Sequence, residues 1–199
     1  MQAAIGFQAR TGWAALVAIS GPRNKPVVVD RRRVELVDDD VPAHVFHAAQ
    51  ELELGDARAL VRRAERTAAR AAARAIRAVT GDLRKVGLDV VGMGLGVAPA
   101  RTPSALEKVL ASHALVHAAE GELYRDALTE AGERCRLPVA TLPRKEIAAC
   151  AAKELGVRSA HLDTELTRMG REVGAPWRQE QKEAALAAWV ALGREASAA

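Results

Sequence analysis

His113, His117 and Glu120 recur at i, i+4 and i+7. At about 100° per residue this spacing places two imidazoles and a carboxylate on one line of a helix. Leu106, Leu110, Tyr124 and Leu128 extend the line, which is therefore expected to face the core or a cleft. Such a set can ligate zinc or a similar divalent ion with one coordination position open, or act as a general acid-base group. It can equally be a helix face held by hydrogen bonds in the core or at an interface, since the spacing lacks the second glutamate placement of metalloprotease helices. A second group, His44, His47 and Glu51, is spaced i, i+3 and i+7 on a shorter segment that either approaches a cleft at the strand ends or packs a helix start. Near the end of the chain, Lys182 and Glu183 flank the apolar stripe Leu186, Trp189 and Val190. They are further candidates for catalysis, against the alternative of snorkelling at the edge of an amphipathic helix.

Arg58, Arg62, Arg66, Arg70 and Arg74 repeat every four residues. They form a slowly turning basic stripe able to follow a phosphate backbone, or a solvated face. The chain has only three Trp, one Tyr and two Phe, and none lies in the stripe, which argues against single-strand binding through base stacking. Arg144 and Lys145 are candidates for an anion contact. The net charge of +4 carries less weight, because 23 Arg against 6 Lys in an alanine-crowded chain reads as GC-rich codon usage as much as selection for phosphate. Asp38, Asp39 and Asp40 read as a solvated turn that blunts an edge strand. Gly92, Gly94 and Gly96 are not followed by the GK[ST] of a phosphate loop, and close packing or a bulge explains them. Cys135 and Cys150 lack metal-knuckle spacing and are expected as buried thiols.

The elements that must position these groups follow from periodicity and turn chemistry. Residues 4–8, 13–20 and 27–37 read as three strands separated by Gly-Pro and Asn-Lys-Pro breakers, a β-meander. A short helical segment with His44, Phe46 and His47 leads into a long helix over residues 56–80, with Asp56 as its N-cap. Residues 87–97 (GLDVVGMGLGV) read as a buried strand. A helix then starts near Thr102 to Ser104, where Pro103 suits the first turn and Ser104 with Glu107 has capping-box spacing, and it runs to Arg134. Residues 137–142 form a fifth strand, and helices follow over 144–155, 159–169 and 178–195. At 199 residues the expectation is one domain, 1–199. Without a leader pattern or an apolar stretch of about 20 residues, the expected location is the cytoplasm.

Three strands, helix, strand, helix, strand, helices is the order of the RNase H fold. The expected class is α/β, with a mixed five-stranded sheet of three antiparallel and two parallel strands and flanking helices. The strand-one segment IGFQARTGWAAL, the glycine-flanked strand, the helix SHALVHAAEGELYRDAL, the strand leading into LPRKEI and the terminal QKEAALAAWVAL resemble the layout of RuvC-type Holliday-junction resolvases. The HAAEGEL and QKEAALAAW segments also resemble those of a bacterial family to which no activity is attached. Resemblance to the resolvases implies nucleic-acid cleavage by two metal ions, held by acids at the ends of the first and fourth strands and on the terminal helix. Here the first-strand position is Gln8, the fourth strand offers Val91, Gly92, Met93 and Gly94, and the terminal helix reads Gln181 and Ala184, with Glu183 the nearby acid. The leading expectation is therefore a non-catalytic binding module, with nucleic acid as candidate partner and a homodimer as candidate assembly. The alternatives are an enzyme with a His/Glu centre, for which a divalent metal is the candidate cofactor, and a homo-oligomeric structural protein. No membrane partner is expected.

Overall fold

The structure, a computed structural model, describes residues 1–98 and 105–198. Strands β1 (Gln2–Arg10), β2 (Trp13–Ser20) and β3 (Val27–Glu35) form the meander. A short helix α1 (Val45–Gln50) and the 32-residue α2 (Leu54–Lys85) lead to β4 (Asp89–Val97). Then come α3 (Leu106–Leu110), α4 (His113–Arg134), β5 (Val139–Pro143), a 3-10 turn at Arg144–Glu146, α5 (Ile147–Leu155), α6 (Ser159–Val173) and α7 (Gln179–Ala198). The sheet order is β3-β2-β1-β4-β5, with β1–β4 and β4–β5 parallel and the meander antiparallel. This is the expected α/β class with its three-plus-two sheet. Among the described residues no helix is long and apolar enough to cross a membrane.

Because side chains alternate along a strand, β1 feeds two cores. Ile5 and Phe7 pack with Leu16, Ile76, Tyr124 and Leu128 under α2 and α4. Ala4 joins Val17, Ile19, Leu142 and Trp189 under α5, α6 and α7. Helix α7 lies directly on the sheet. A Cβ on Gly6 would fall 1.9 Å from the Ala184 carbonyl oxygen, and one on Gly94 would fall 2.0 Å from that of Ala187. Both readings of the glycine-rich strand hold, since the β1–β4 register also slips between Ala3 and Ala4, leaving Val91 as a bulge beside Gly92.

Three sequence expectations change. The helix expected to run unbroken to Arg134 is divided at Ala111 and Ser112. Ser112 takes extended backbone angles, so Leu106 and Leu110 sit on a different helix from the histidines. Its expected start, Pro103 and Ser104 included, lies outside the described residues. Helix α2 begins one turn early: Glu53 holds the N-cap place and Asp56 sits in the first turn, where its charge favours the helix dipole. Cys135 and Cys150 are free thiols but only half-buried.

Candidate functional site

Helix α1 follows β3 and α4 begins beyond β4, so both stand near the carboxyl ends of the parallel strands, where ligand sites of open α/β sheets are commonly built. There His44, His47, His113, His117 and Glu120 meet. The His113 and His117 Nε2 atoms are 2.9 Å apart. The His47 ring lies 4.8 Å from that of His117 and 6.0 Å from that of His113, centroid to centroid, and His44 lies 5.5 Å from His47. His44, His113 and His117 are exposed, His47 is half-buried, and Glu120 is only 3% exposed.

Glu120 explains why α1 sits where it does. The N-cap of α1, His44, makes no side-chain capping bond. Instead Oε1 of Glu120, reaching across from α4, accepts the Phe46 N–H at 2.8 Å and the His47 N–H at 3.2 Å, two of the donors a helix start leaves unpaired. The same oxygen lies 3.2 Å from His47 Nδ1, and a carboxylate only accepts, so Nδ1–H is the donor of this contact. Oε2 is buried without a hydrogen-bond partner among the described residues. One turn deeper, Tyr124 donates its hydroxyl to the Ala43 carbonyl at 2.5 Å. Burial, then the nearby Glu120 carboxylate, push that phenol above its usual range against a hydrogen bond from the Gly12 backbone.

Lys182 and Glu183 do not join this cluster. They lie on α7, which covers the opposite face of the sheet. Glu183 accepts from Gln179 Nε2 at 3.0 Å and buries its other oxygen without a partner among the described residues. Gln8, on the α7 side of β1, is 1% exposed with Oε1 likewise unpartnered among the described residues. The β4 residue against it is Gly96, whose added Cβ would lie 2.9 Å from that Oε1, rather than any of Val91 to Gly94. On α7, Gln181 accepts the Arg178 backbone N–H at 2.8 Å, the reach-back half of a capping box, while Ala184 presses on Gly6. Arg10 pairs with Glu180 at 3.2 Å. The amide of Glu180 itself, and then Arg10, hold that carboxyl below its usual range against desolvation. Neither strand end carries a carboxylate, so Gln8 and Gly96 do not fit a bridged pair of magnesium-type ions, which need charged oxygens. Arg144 and Lys145 are exposed in the 3-10 turn, with the Arg144 backbone 3.9 Å from the Gly96 Cβ position.

Arg58, Arg62, Arg66, Arg70 and Arg74 are all exposed on α2, whose other face buries Ala57, Val61, Ala64, Ala68, Ala72 and Ile76. Arg58 pairs with Glu107, and Arg70 donates to the Thr67 hydroxyl at 3.3 Å. Helix α2 holds nine basic and three acidic residues, net +6, against +4 for the whole chain, so everything outside it sums to −2. The bulk charge conceals this separation, and counting by element reveals it. Sequence reasoning treated His44 and His47 as a separate group; no local signal could pair them with His113 and His117 across more than 60 residues.

Two solved structures share this architecture over nearly the full chain. A Thermus thermophilus RuvC structure is 10% identical with a TM-score of 0.53, covering 98% of this chain and 96% of its own. T. thermophilus RuvC in complex with Holliday junction substrate is 11% identical with a TM-score of 0.53, covering 99% of this chain and 96% of its own. With the strand order, they define the fold as RNase H-like, of the RuvC layout; at this identity the likeness is one of fold. No protein-family model and no curated protein matches the sequence.

Proposed function

We propose that the chain is a nucleic-acid-binding module on an RNase H-like scaffold, working without the two-metal nuclease centre. The observation that carries this reading is the concentration of positive charge on α2, net +6 over the whole helix in an otherwise net-negative chain, with Arg58, Arg62, Arg66, Arg70 and Arg74 all exposed. At 1.5 Å per residue the helix is about 48 Å long, enough to run beside more than one turn of a duplex. Guanidinium groups spaced along it would neutralise phosphates and release counterions, binding that is sequence-independent and weakened by salt. The scarcity of aromatic residues favours double-stranded or junction substrates over single strands. The shared fold of a RuvC bound to a Holliday junction makes a four-way junction the first ligand to try.

The neutral pair Gln8 and Gly96, near the strand ends where the resemblance to the resolvases implies carboxylates, supports a non-nuclease reading, since two-metal chemistry needs charged oxygens. The test is fluorescence anisotropy with labelled four-way junction, duplex and single-stranded DNA and RNA at several salt concentrations, with a parallel cleavage assay in Mg2+. Salt-sensitive binding to junction or duplex without cleavage is expected, and the triple variant R62E/R66E/R70E should weaken it by about tenfold or more. Absence of salt-sensitive binding to every probe would remove the reading. Mg2+-dependent cleavage would overturn its non-catalytic half.

A further inference from the structure

We propose that His47, His113 and His117 form a mononuclear site for a zinc-class divalent ion, with Glu120 as the residue that positions His47. The site uses none of the α2 arginines and stands apart from the nucleic-acid reading.

Two neutral imidazoles that both present lone pairs at 2.9 Å repel unless one carries the proton or a cation lies between them. Residues i and i+4 on a helix are held in that relation by the backbone, so His113 and His117 form a ready two-nitrogen clamp. Tetrahedral zinc, with Zn–N near 2.0–2.1 Å, sets two ligand nitrogens about 3.3 Å apart, so the pair must open by only about 0.4 Å. A ligand atom from His47 completes a set in which all three lie within 4.8 Å of one another.

The third ligand is prepared by its surroundings. Glu120 fixes the start of α1 through two backbone N–H groups and accepts a hydrogen bond from His47 Nδ1–H, so Nε2 is the nitrogen available to ligate. A ligating histidine whose other nitrogen donates to a carboxylate is the usual support of a metal centre, and it fixes both tautomer and ring orientation. The buried, unpartnered Oε2 of Glu120 is a second sign, because a carboxylate oxygen held out of water is costly unless positive charge stands nearby. Three imidazole nitrogens suit zinc, cobalt, nickel or copper and not magnesium or calcium, which prefer oxygen. With His113 and His117 exposed, the fourth position opens to solvent, the geometry of a reactive centre rather than a closed structural one. His44 lies outside the set and is not needed.

The experiment uses the full chain without an affinity tag, stripped with a chelator and titrated with Zn2+ by calorimetry and with Co2+ by absorption. One equivalent per chain is expected, with a cobalt spectrum that lacks a thiolate charge-transfer band. His113→Ala and His117→Ala, both at exposed positions, should weaken binding about 100-fold or more while His44→Ala leaves it unchanged. Glu120→Gln, which keeps an acceptor for the α1 amides, should weaken binding about 10- to 100-fold and alter the cobalt spectrum. Substoichiometric uptake by the parent chain would overturn the proposal. Equal affinity in H117A and the parent, or a thiolate band lost in C135S/C150S, would do the same.

Discussion

One oxygen of Glu120 receives three N–H groups, from the Phe46 and His47 amides and the His47 ring, and with them α4 sets the place of α1. Tyr124 adds the next contact down, its hydroxyl on the Ala43 carbonyl. Tyr124→Phe should cost about 1 kcal/mol in urea unfolding, the net worth of one hydrogen bond, with the ring's packing kept. A surface pair makes a prediction that depends on pH. Glu154 lies in the last turn of α5 and accepts from Arg194 of α7 through both its oxygens at 2.7 Å. The guanidinium hydrogen bonds hold its carboxyl below the usual 4.5. Because the folded-state value is depressed, the pair stabilises fully above the ordinary value and loses its contribution as pH falls through and below it. For a pair this exposed the effect is about 0.5 kcal/mol. Glu154→Gln should therefore lower the urea midpoint slightly at pH 7, and the two midpoints should merge near pH 3; a constant gap would contradict the assignment.

At the scale of elements, glycine decides how α7 meets the sheet. Gly94→Ala would drive a methyl into the Ala187 backbone and should destabilise by about 3 kcal/mol or more, since neither strand nor helix can step aside. Gly81→Ala, inside α2 with nothing within 4 Å of the new methyl, should instead stabilise by about 0.5 to 1 kcal/mol. Thermal melts of the two variants check both signs. The meander was legible because its breakers are turn formers, and the order of strands and helices was enough to name the fold. The break before α4 was not, because Ser112 sits among strong helix formers and only its extended backbone gives it away. The partner of Gln8 was placed too early on β4: the strand was read to Val97, but its parallel register against β1, with a one-residue slip at Val91, has no local sequence signal. The histidines of α4 were legible as one line, while their meeting with His47 depends on α1 being held by Glu120, a contact between distant parts of the chain.

For the whole molecule, the RNase H-like sheet carries different chemistries on its two sides. The histidine cluster lies on the α2 and α4 side, while neutral, buried Gln8 faces α7. Charge is divided as unevenly, with α2 strongly positive and the remainder slightly negative. That separation is what a phosphate backbone would sense, and it leaves a quantitative signature. The most direct measurement is the slope of log K against log salt for a four-way junction, taken for the parent chain and for R62A/R66A/R70A. Each phosphate contact contributes about −0.9 to the slope on duplex DNA, so the variant should bind more weakly with a slope shallower by about 2.7. Identical slopes, or a parent chain whose affinity does not respond to salt, would contradict the assignment of α2 as the binding surface.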